Sequence, residues 1–480
     1  MKKTITNIAL NSLYQLFLIA MPVVTIPYLS RTLGVYYVGE YSYLSSIVTF
    51  FSVIIILGLN QLGAKIIAET PFKKRRYEFS SIWTIQIIMG IITSSLYLLF
   101  LTLSSSRTGN YLLLFFPYLL SYIFDISWFY IGIADIKKVT LRNIIVKTAT
   151  IIVIFSVVHS KSDFNMYILI NSIGMFLSNI VFFVSLGHSL PPKIQNVKFK
   201  FHINRIYLKN AFILFVPLFA AQVYTSLDKT IVGGLAGTNQ LAFYDQSQKI
   251  ARILLSLLTS LSIVLMPKMV EHRENKERTN FILKKSLDYT FILSLLFSVL
   301  VFVNADNFVP WFFGTDFSSM IINMKISAVI IVFISYGGVF SSQFAVAEGL
   351  YKQFAIPYVL GALINMTLNL IFVGYFKSLG ATIISVVTEL IVCMLRVVLV
   401  KDNVNFGFLV HGQFIYLLSA CLGLVGGTLV RVDLGNIIID MIVRTVIVIT
   451  LFLLPILFMK SPIKTDIKLL KNTLLSHRNS

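Results

Sequence analysis

Long apolar runs separated by short polar breaks occupy nearly the whole chain. Fourteen of them are long enough to cross a bilayer: 6–30, 38–62, 81–104, 112–133, 139–159, 164–187, 210–234, 241–266, 287–305, 320–346, 355–376, 381–400, 413–431 and 437–459. A helical span needs about 20 mostly apolar residues, and in lipid only helices and closed barrels satisfy their own backbone. The runs are too continuous for the roughly ten-residue alternating strands of a barrel. The pattern therefore predicts an all-α polytopic membrane protein with about 14 transmembrane helices. The second and tenth runs have the least distinct ends. Breaks such as Pro191-Pro192 and the stretch from Asn403 to Gly407 carry turn chemistry.

Composition agrees, with 57% hydrophobic residues, 12% charged residues and a mean hydropathy of +0.84. The basic residues are distributed unevenly. With the N-terminus inside, 28 of the 40 lysines and arginines fall on the cytoplasmic side, including Lys73-Lys74-Arg75-Arg76 and Lys193, Lys198, Lys200, Arg205 and Lys209. Arg31, Arg107, Lys161, Lys325, Lys377 and Arg431 lie in or beside external turns. The positive-inside rule then places both termini in the cytoplasm of a multi-pass protein. The net charge of +20 is explained by basic loops on an anionic leaflet, which makes anionic lipids a partner and excludes nucleic acid. Lys2-Lys3 precede a full-length span rather than a short cleavable one, so no signal peptide is expected.

External turns are short, and no soluble domain is expected on either face. There is no Walker A loop, dinucleotide glycine fingerprint or Asp-x-Asp motif, and the six histidines form no metal pair. Cys393 and Cys421 lie in spans without metal spacing. The chain is expected to be no enzyme and to need no cofactor or metal. Gly423-x-x-x-Gly427 and Gly233-x-x-x-Gly237 read as close helix packing.

Ionisable residues inside spans are costly and mark candidate sites. The densest set is Asp228 and Lys229 on the seventh span, then Asp245, Gln248, Lys249 and Arg252 on the eighth. Spacings of three to four residues put the latter on one helical face. Arg252 is about eleven residues into its run, or roughly 16 Å, too deep for an interfacial anchor. Arg31 would join them if the first and eighth helices are neighbours. Asp228 and Asp245 fit structural ion pairs as well as a cavity; Lys249 and Arg252 favour the cavity. Arg142, Lys147, Glu389 and Arg396 are weaker candidates, with snorkelling the simpler reading of the first two. Asp440 and Arg444 are spaced for a structural bridge, and Glu348 fits either loop or site. Pro22, Pro27 and Pro217 permit bends in the first and seventh spans.

A faint repeat accompanies these charges. Gly34, Gly39 and Tyr41 recur as Gly237, Ala242 and Tyr244, at a constant offset of 203. Two six-helix sets would follow: a lobe over 1–190, a basic cytoplasmic linker over 191–209, a second lobe over 210–402, and two further helices with a basic tail over 403–480. Such parallel repeats bind substrate between halves.

The segment Tyr14-Gln15, Pro22, Pro27-Tyr28-Leu29-Ser30-Arg31-Thr32-Leu33-Gly34, with Gly39 and Tyr41-Ser42-Tyr43, resembles the N-terminal signature of oligosaccharide-lipid flippases. These are the Wzx-type polysaccharide transporters of the multidrug/oligosaccharidyl-lipid/polysaccharide exporter superfamily. Gly58-Leu59-Asn60, Gly63 and Ala64-Lys65-Ile66-Ile67-Ala68 continue the similarity, as do Trp128-Phe129-Tyr130, Gly132, Asp135, Lys137-Lys138 and Arg142-Asn143. Tyr224 to Gly233 and Tyr244-Asp245-Gln246 with Lys249-Ile250 are similar in the second half. The resemblance covers about 7 to 460 and thins beyond 400.

It implies two lobes in a V around a central cavity. It also implies movement of an undecaprenyl-diphosphate-linked glycan from the inner to the outer leaflet of a bacterial plasma membrane, for capsule, exopolysaccharide, O-antigen or teichoic acid assembly. Polysaccharide polymerase machinery is an expected partner. Cavity arginines and lysines would suit the diphosphate, arginine supplying a bidentate fork. A drug or small-cation exporter of the same superfamily is the nearer alternative, but its pocket should be acidic or aromatic. A membrane polymerase or glycosyltransferase would need a larger loop than this chain offers.

Overall fold

The computed structural model describes residues 2–188, 203–430 and 433–459. Pro191-Pro192, Lys193, Lys198, Lys200, Arg431 and the basic tail from Lys460 lie outside them. Among the described residues there are helices and no strands, and helix occupies each of the fourteen predicted intervals. Among the described residues, nine helical stretches are long and apolar enough to cross a membrane; two of them, Ala20–Glu69 and Tyr351–Asn403, each cover two predicted spans. The chain divides into two compact units, Met1–Gly233 and Gly234–Ser480.

The first unit contains α1 (Lys2–Ile56), α2 (Leu59–Glu69), α3 (Arg75–Leu103), α4 (Ser106–Leu114), α5 (Phe116–Ser121), α6 (Ser127–Gly132), α7 (Ile136–Val157), α8 (Phe164–Val184) and most of α9 (Arg205–Ala236). Helix α1 is two helices meeting at Gly34, where φ is 74° and ψ is 175°. That backbone region is essentially closed to residues with a Cβ. The glycine matched by the 203-residue offset, Gly237, has φ 88° and ψ 164°. Alanine at either position should therefore cost about 1–3 kcal/mol. At Gly237 nothing lies within 4 Å of the new methyl, so the loss there is purely conformational. At Gly34 the methyl would also sit 3.2 Å from the Lys161 side chain. Thermal unfolding in detergent measures both losses, and the larger one is expected at Gly34.

The indistinct end of the second span has a physical cause. Leu57 and Gly58 have positive φ, and a Cβ on Gly58 would approach the Ala211 carbonyl to 2.9 Å. Glycine there both turns the chain and lets α9 pack close. Nearby, Cβ atoms on Gly63 and Gly132 would meet Trp128 at 2.6 Å and the Ala64 carbonyl at 2.7 Å. Much of the resemblance motif thus serves the contact between α2 and α6.

The fourth span is not a continuous helix but α4, α5 and α6 in succession. Its freed carbonyls are satisfied by side chains from α3. Gln86 Nε2 donates to the Tyr122 and Asp125 carbonyls at 2.6 and 3.0 Å. Trp83 Nε1 donates to Ile123 at 3.0 Å, and the Tyr97 hydroxyl to Leu112 at 2.6 Å. Trp128 Nε1 completes the set by donating to Gln86 Oε1 at 3.1 Å.

The second unit contains α10 (Thr238–Glu271), α11 (Lys276–Phe313), α12 (Ile321–Gly338), α13 (Tyr351–Val398), α14 (Phe406–Val410), α15 (Phe414–Leu429) and α16 (Ile437–Phe458). The tenth span changes from α12 to π-helix over Val339–Ala345, which accounts for its poorly defined end. Helix α13 breaks at Lys377, where φ is 53°. Gly423 and Gly427 face Val448 of α16, and Gly427 also faces Val303 of α11. The close packing read from the sequence holds at Gly423 and Gly427, whereas nothing lies within 4 Å of a Cβ on Gly237.

Candidate functional site

The predicted charges are distributed over both units. On the first, Arg31 is exposed on α1 and Lys229 is half-buried on α9. Asp228 is buried, and its carboxylate accepts the Lys229 backbone N–H at 2.9 Å. Thr230, next on the same helix, shares a 2.8 Å hydrogen bond with Ser46 of α1, so α9 and α1 are neighbours here.

On the second unit, α10 carries Asp245, Gln248, Lys249 and Arg252 on successive turns. Asp245 is fully buried, and its carboxylate takes Lys249 Nζ at 2.8 Å. This i,i+4 pair is the structural bridge that the spacing allows. Gln248 is buried beside it. Tyr244 and Ser247 of the same face bond Ser385 of α13 at 2.8 Å and Ser327 of α12 at 3.3 Å. The acid end of the stripe is thus fixed inside the unit. Arg252 is different. It is exposed, and among the described residues no ion pair engages its guanidinium. It lies fourteen residues past Thr238 in a 34-residue helix, roughly 21 Å from that end at 1.5 Å per residue. In the predicted eighth span, 241–266, an arginine at that position would cost about 2.5–3.5 kcal/mol on insertion scales, and such residues face water or a ligand in folded proteins.

The weaker candidates divide similarly. Arg142 Nη1 donates to Asn179 Oδ1 at 2.9 Å, its other nitrogens reach Asn143, and its guanidinium lies 4.1 Å from the Phe182 ring centroid. It fastens α7 to α8. Lys147 is exposed one turn further along α7. Glu389 and Arg396 are both buried on α13, and Arg396 stacks over Tyr358 at 4.9 Å. Glu348 is a latch: its carboxylate lies 3.6 Å from Arg273, which also donates to its carbonyl at 2.6 Å.

The expected Asp440–Arg444 bridge is absent among the described residues. Asp440 instead accepts the Leu434 N–H at 2.8 Å, holding the turn before α16. An acid in a first helical turn has backbone donors within reach, and here one of them outcompetes the arginine.

Two buried charge clusters carry a weaker sequence signal. Glu40 is buried in the second half of α1 and bonded by Tyr36; the Arg107 guanidinium lies 5.3 Å from the Tyr36 ring centroid. A lone acid in the second predicted span was the available clue. In the second unit, Lys284 Nζ donates to Asp288 Oδ1 at 3.0 Å, the Leu409 carbonyl at 3.0 Å and the His411 carbonyl at 2.7 Å. Both residues are buried, and the i,i+4 spacing at the start of the ninth run was their signature. Gln413, which accepts from Tyr336 at 3.0 Å, reaches the same carboxylate at 3.5 Å. This cluster ties α11 to the segment that precedes α15.

Residues able to group as a metal site are absent among the described residues. What the fold offers is a bundle of long apolar helices with buried polar anchors and, on α10, an arginine without an ion pair among the described residues. The inward-closed structure of the lipid II flippase MurJ matches this fold with a TM-score of 0.77 and 17% identity, over 93% of this chain and 97% of that one. An inward-facing multidrug resistance MATE family transporter of the MOP superfamily matches with a TM-score of 0.59 and 13% identity, over 80% of this chain and 98% of that one. This chain shares its fold with both transporters.

Residues 4–273, more than half of the chain, match the family described as polysaccharide biosynthesis protein, and the chain belongs to that family. A relative in Escherichia coli (strain K12), named "Putative O-antigen transporter", is 24% identical over 390 residues, or 80% of this chain and 93% of its own length. A relative of the same name in Shigella dysenteriae is 22% identical over 386 residues, 79% and 96% of the two chains.

Proposed function

We propose that this protein is a flippase moving undecaprenyl-diphosphate-linked oligosaccharide repeat units from the inner to the outer leaflet. Family membership and the relatives' names support the class of cargo. The observation that carries the reading is Arg252, an exposed guanidinium deep in α10 without an acid partner among the described residues.

A diphosphate would take that guanidinium in a bidentate, charge-assisted pair. Lys249, partly exposed beyond its bond to Asp245, adds positive field. We place the lobes over 1–190 and 210–402, joined by the basic linker 191–209, with 403–480 as an appendage. Both termini are cytoplasmic in this reading. Transport is by alternating access, the lipid tail staying in the membrane while the sugar head crosses. A small-cation exporter needs the opposite charge at this position.

Depleting the protein from its host should leave lipid-linked repeat units inaccessible to an impermeant sugar oxidant added outside, while total units persist or accumulate. Unchanged accessibility at full depletion would contradict the reading.

A further inference from the structure

The first unit has a second polar site, away from the charged stripe. A cavity of about 350 Å³ opens on the side bearing Lys73-Lys74-Arg75-Arg76, the cytoplasmic face in the orientation given above. Its walls come from α2, the turn before α3, the start of α3 and the start of α9. Its charged groups are Lys65, Glu69, Lys74 and Glu78, and Thr70, Tyr207 and Asn210 add uncharged polar ones.

Lys65, Glu69, Lys74 and Asn210 are exposed at the rim, while Glu78 and Tyr207 are partly buried. Lys65 and Glu69 are one turn apart on α2, with apolar Leu62 a turn before them on the same face. The turn between α2 and α3 is fixed by Arg75 Nε donating to the Thr70 carbonyl at 3.2 Å. Across the cavity the Tyr207 hydroxyl donates to Glu78 Oε2 at 2.7 Å. Burial and the Glu78 carboxylate push the Tyr207 phenol up to about 12, so it stays protonated and keeps that bond at neutral pH.

The charges in this lining cancel, two lysines against two glutamates. A diphosphate, which suits an excess of cations, is poorly served here because two carboxylates would face it. A neutral polyhydroxylated ring is well served. Each sugar hydroxyl both donates and accepts, and the lining offers donors (the lysines and the Asn210 amide) beside acceptors (the glutamates and the Asn210 oxygen). Tyr207 and Leu62 offer apolar surface to a ring face. The volume is near the lower end of small-molecule sites, about 300–1,000 Å³, enough for one or two rings.

We infer that this cavity is a saccharide site, which receives an uncharged pyranose of the cargo on the cytoplasmic side while the diphosphate is bound elsewhere. The inference rests on the flippase reading but names a different set of residues. It separates glycan recognition from phosphate recognition within one protein.

The test is saturation-transfer NMR on the full chain in nanodiscs, with methyl glucoside, methyl galactoside, methyl N-acetylglucosaminide and, separately, inorganic pyrophosphate. At least one pyranoside should bind, in about the millimolar range expected of a shallow polar site. Glu78→Gln and Lys65→Met should each weaken it about tenfold, the loss expected for a hydrogen bond to a charged group. Tyr207→Phe, the mildest change, should weaken it less. Pyrophosphate should neither compete nor respond to these substitutions. No pyranoside binding, binding indifferent to all three variants, or competition by pyrophosphate would each overturn the inference. Transport is scored in parallel on the same preparations. Sugar binding without glycan movement would sink the flippase reading and keep the site, whereas movement without sugar binding would do the reverse.

Discussion

Replacing Arg252 with alanine should lower glycan export by at least about tenfold, without loss of membrane insertion. The magnitude follows from the bond being removed. A hydrogen bond to a charged group contributes about 1.5–3 kcal/mol, which is roughly one to two decades of rate or affinity. The Arg252 side chain is exposed and has no ion pair among the described residues, so its removal should leave the helix packing of α10 intact. Lysine should restore part of the function, because it returns the charge without the planar fork. By contrast, Lys249→Ala should act on both folding and transport, since it strands the buried Asp245 carboxylate that Lys249 meets at 2.8 Å. Export assayed at matched expression separates the two residues. Normal export by Arg252→Ala would remove the cationic centre from the account.

The largest effect on stability is expected at Asp288. Its carboxylate neutralises Lys284, whose three ammonium protons are fully used by Asp288 and the Leu409 and His411 carbonyls. Alanine at Asp288 leaves a buried ammonium without its counter-charge, a change that costs about 3–5 kcal/mol in comparable sites. The two carbonyl bonds remain, so the lower end of that range is expected. The double change Lys284→Met with Asp288→Leu should recover most of the loss, because apolar residues of similar volume substitute for a buried pair at little or no cost. Thermal unfolding of the single and double variants in detergent completes the cycle. A double variant no more stable than Asp288→Ala alone would mean that the carbonyl bonds, rather than the ion pair, hold α11 to the segment before α15.

The sequence revealed most of the helical architecture because the bilayer makes apolar length itself a signal. It was blind where long-range polar contacts replace local ones. The fourth run is apolar enough to be one helix, yet its carbonyls bond Gln86, Trp83 and Tyr97 of α3, and no periodicity within the run encodes that. Lys284 falls just outside the ninth apolar run, 287–305, yet it is buried and bonds a segment about 125 residues away in sequence. The Asp245–Lys249 pair was legible, since i,i+4 partners lie on one helix and need no knowledge of the fold. Asp440 shows the limit of that rule: the same spacing to Arg444 was available, but a backbone N–H was nearer. Gly34 and Gly237 were visible only as a weak repeat, and their shared backbone conformation gives that repeat a physical content.

The central claim is movement of a lipid-linked glycan across the bilayer, and purified protein in liposomes tests it most directly. Vesicles would carry a defined undecaprenyl-diphosphate oligosaccharide in both leaflets, with an impermeant sugar oxidant added outside. In protein-free vesicles only the outer half should react. With the wild-type chain the reacting fraction should pass one half and approach completion, and with Arg252→Ala at equal incorporation it should stay near one half. A wild-type fraction that never exceeds the protein-free value, across the driving gradients imposed, would contradict the account.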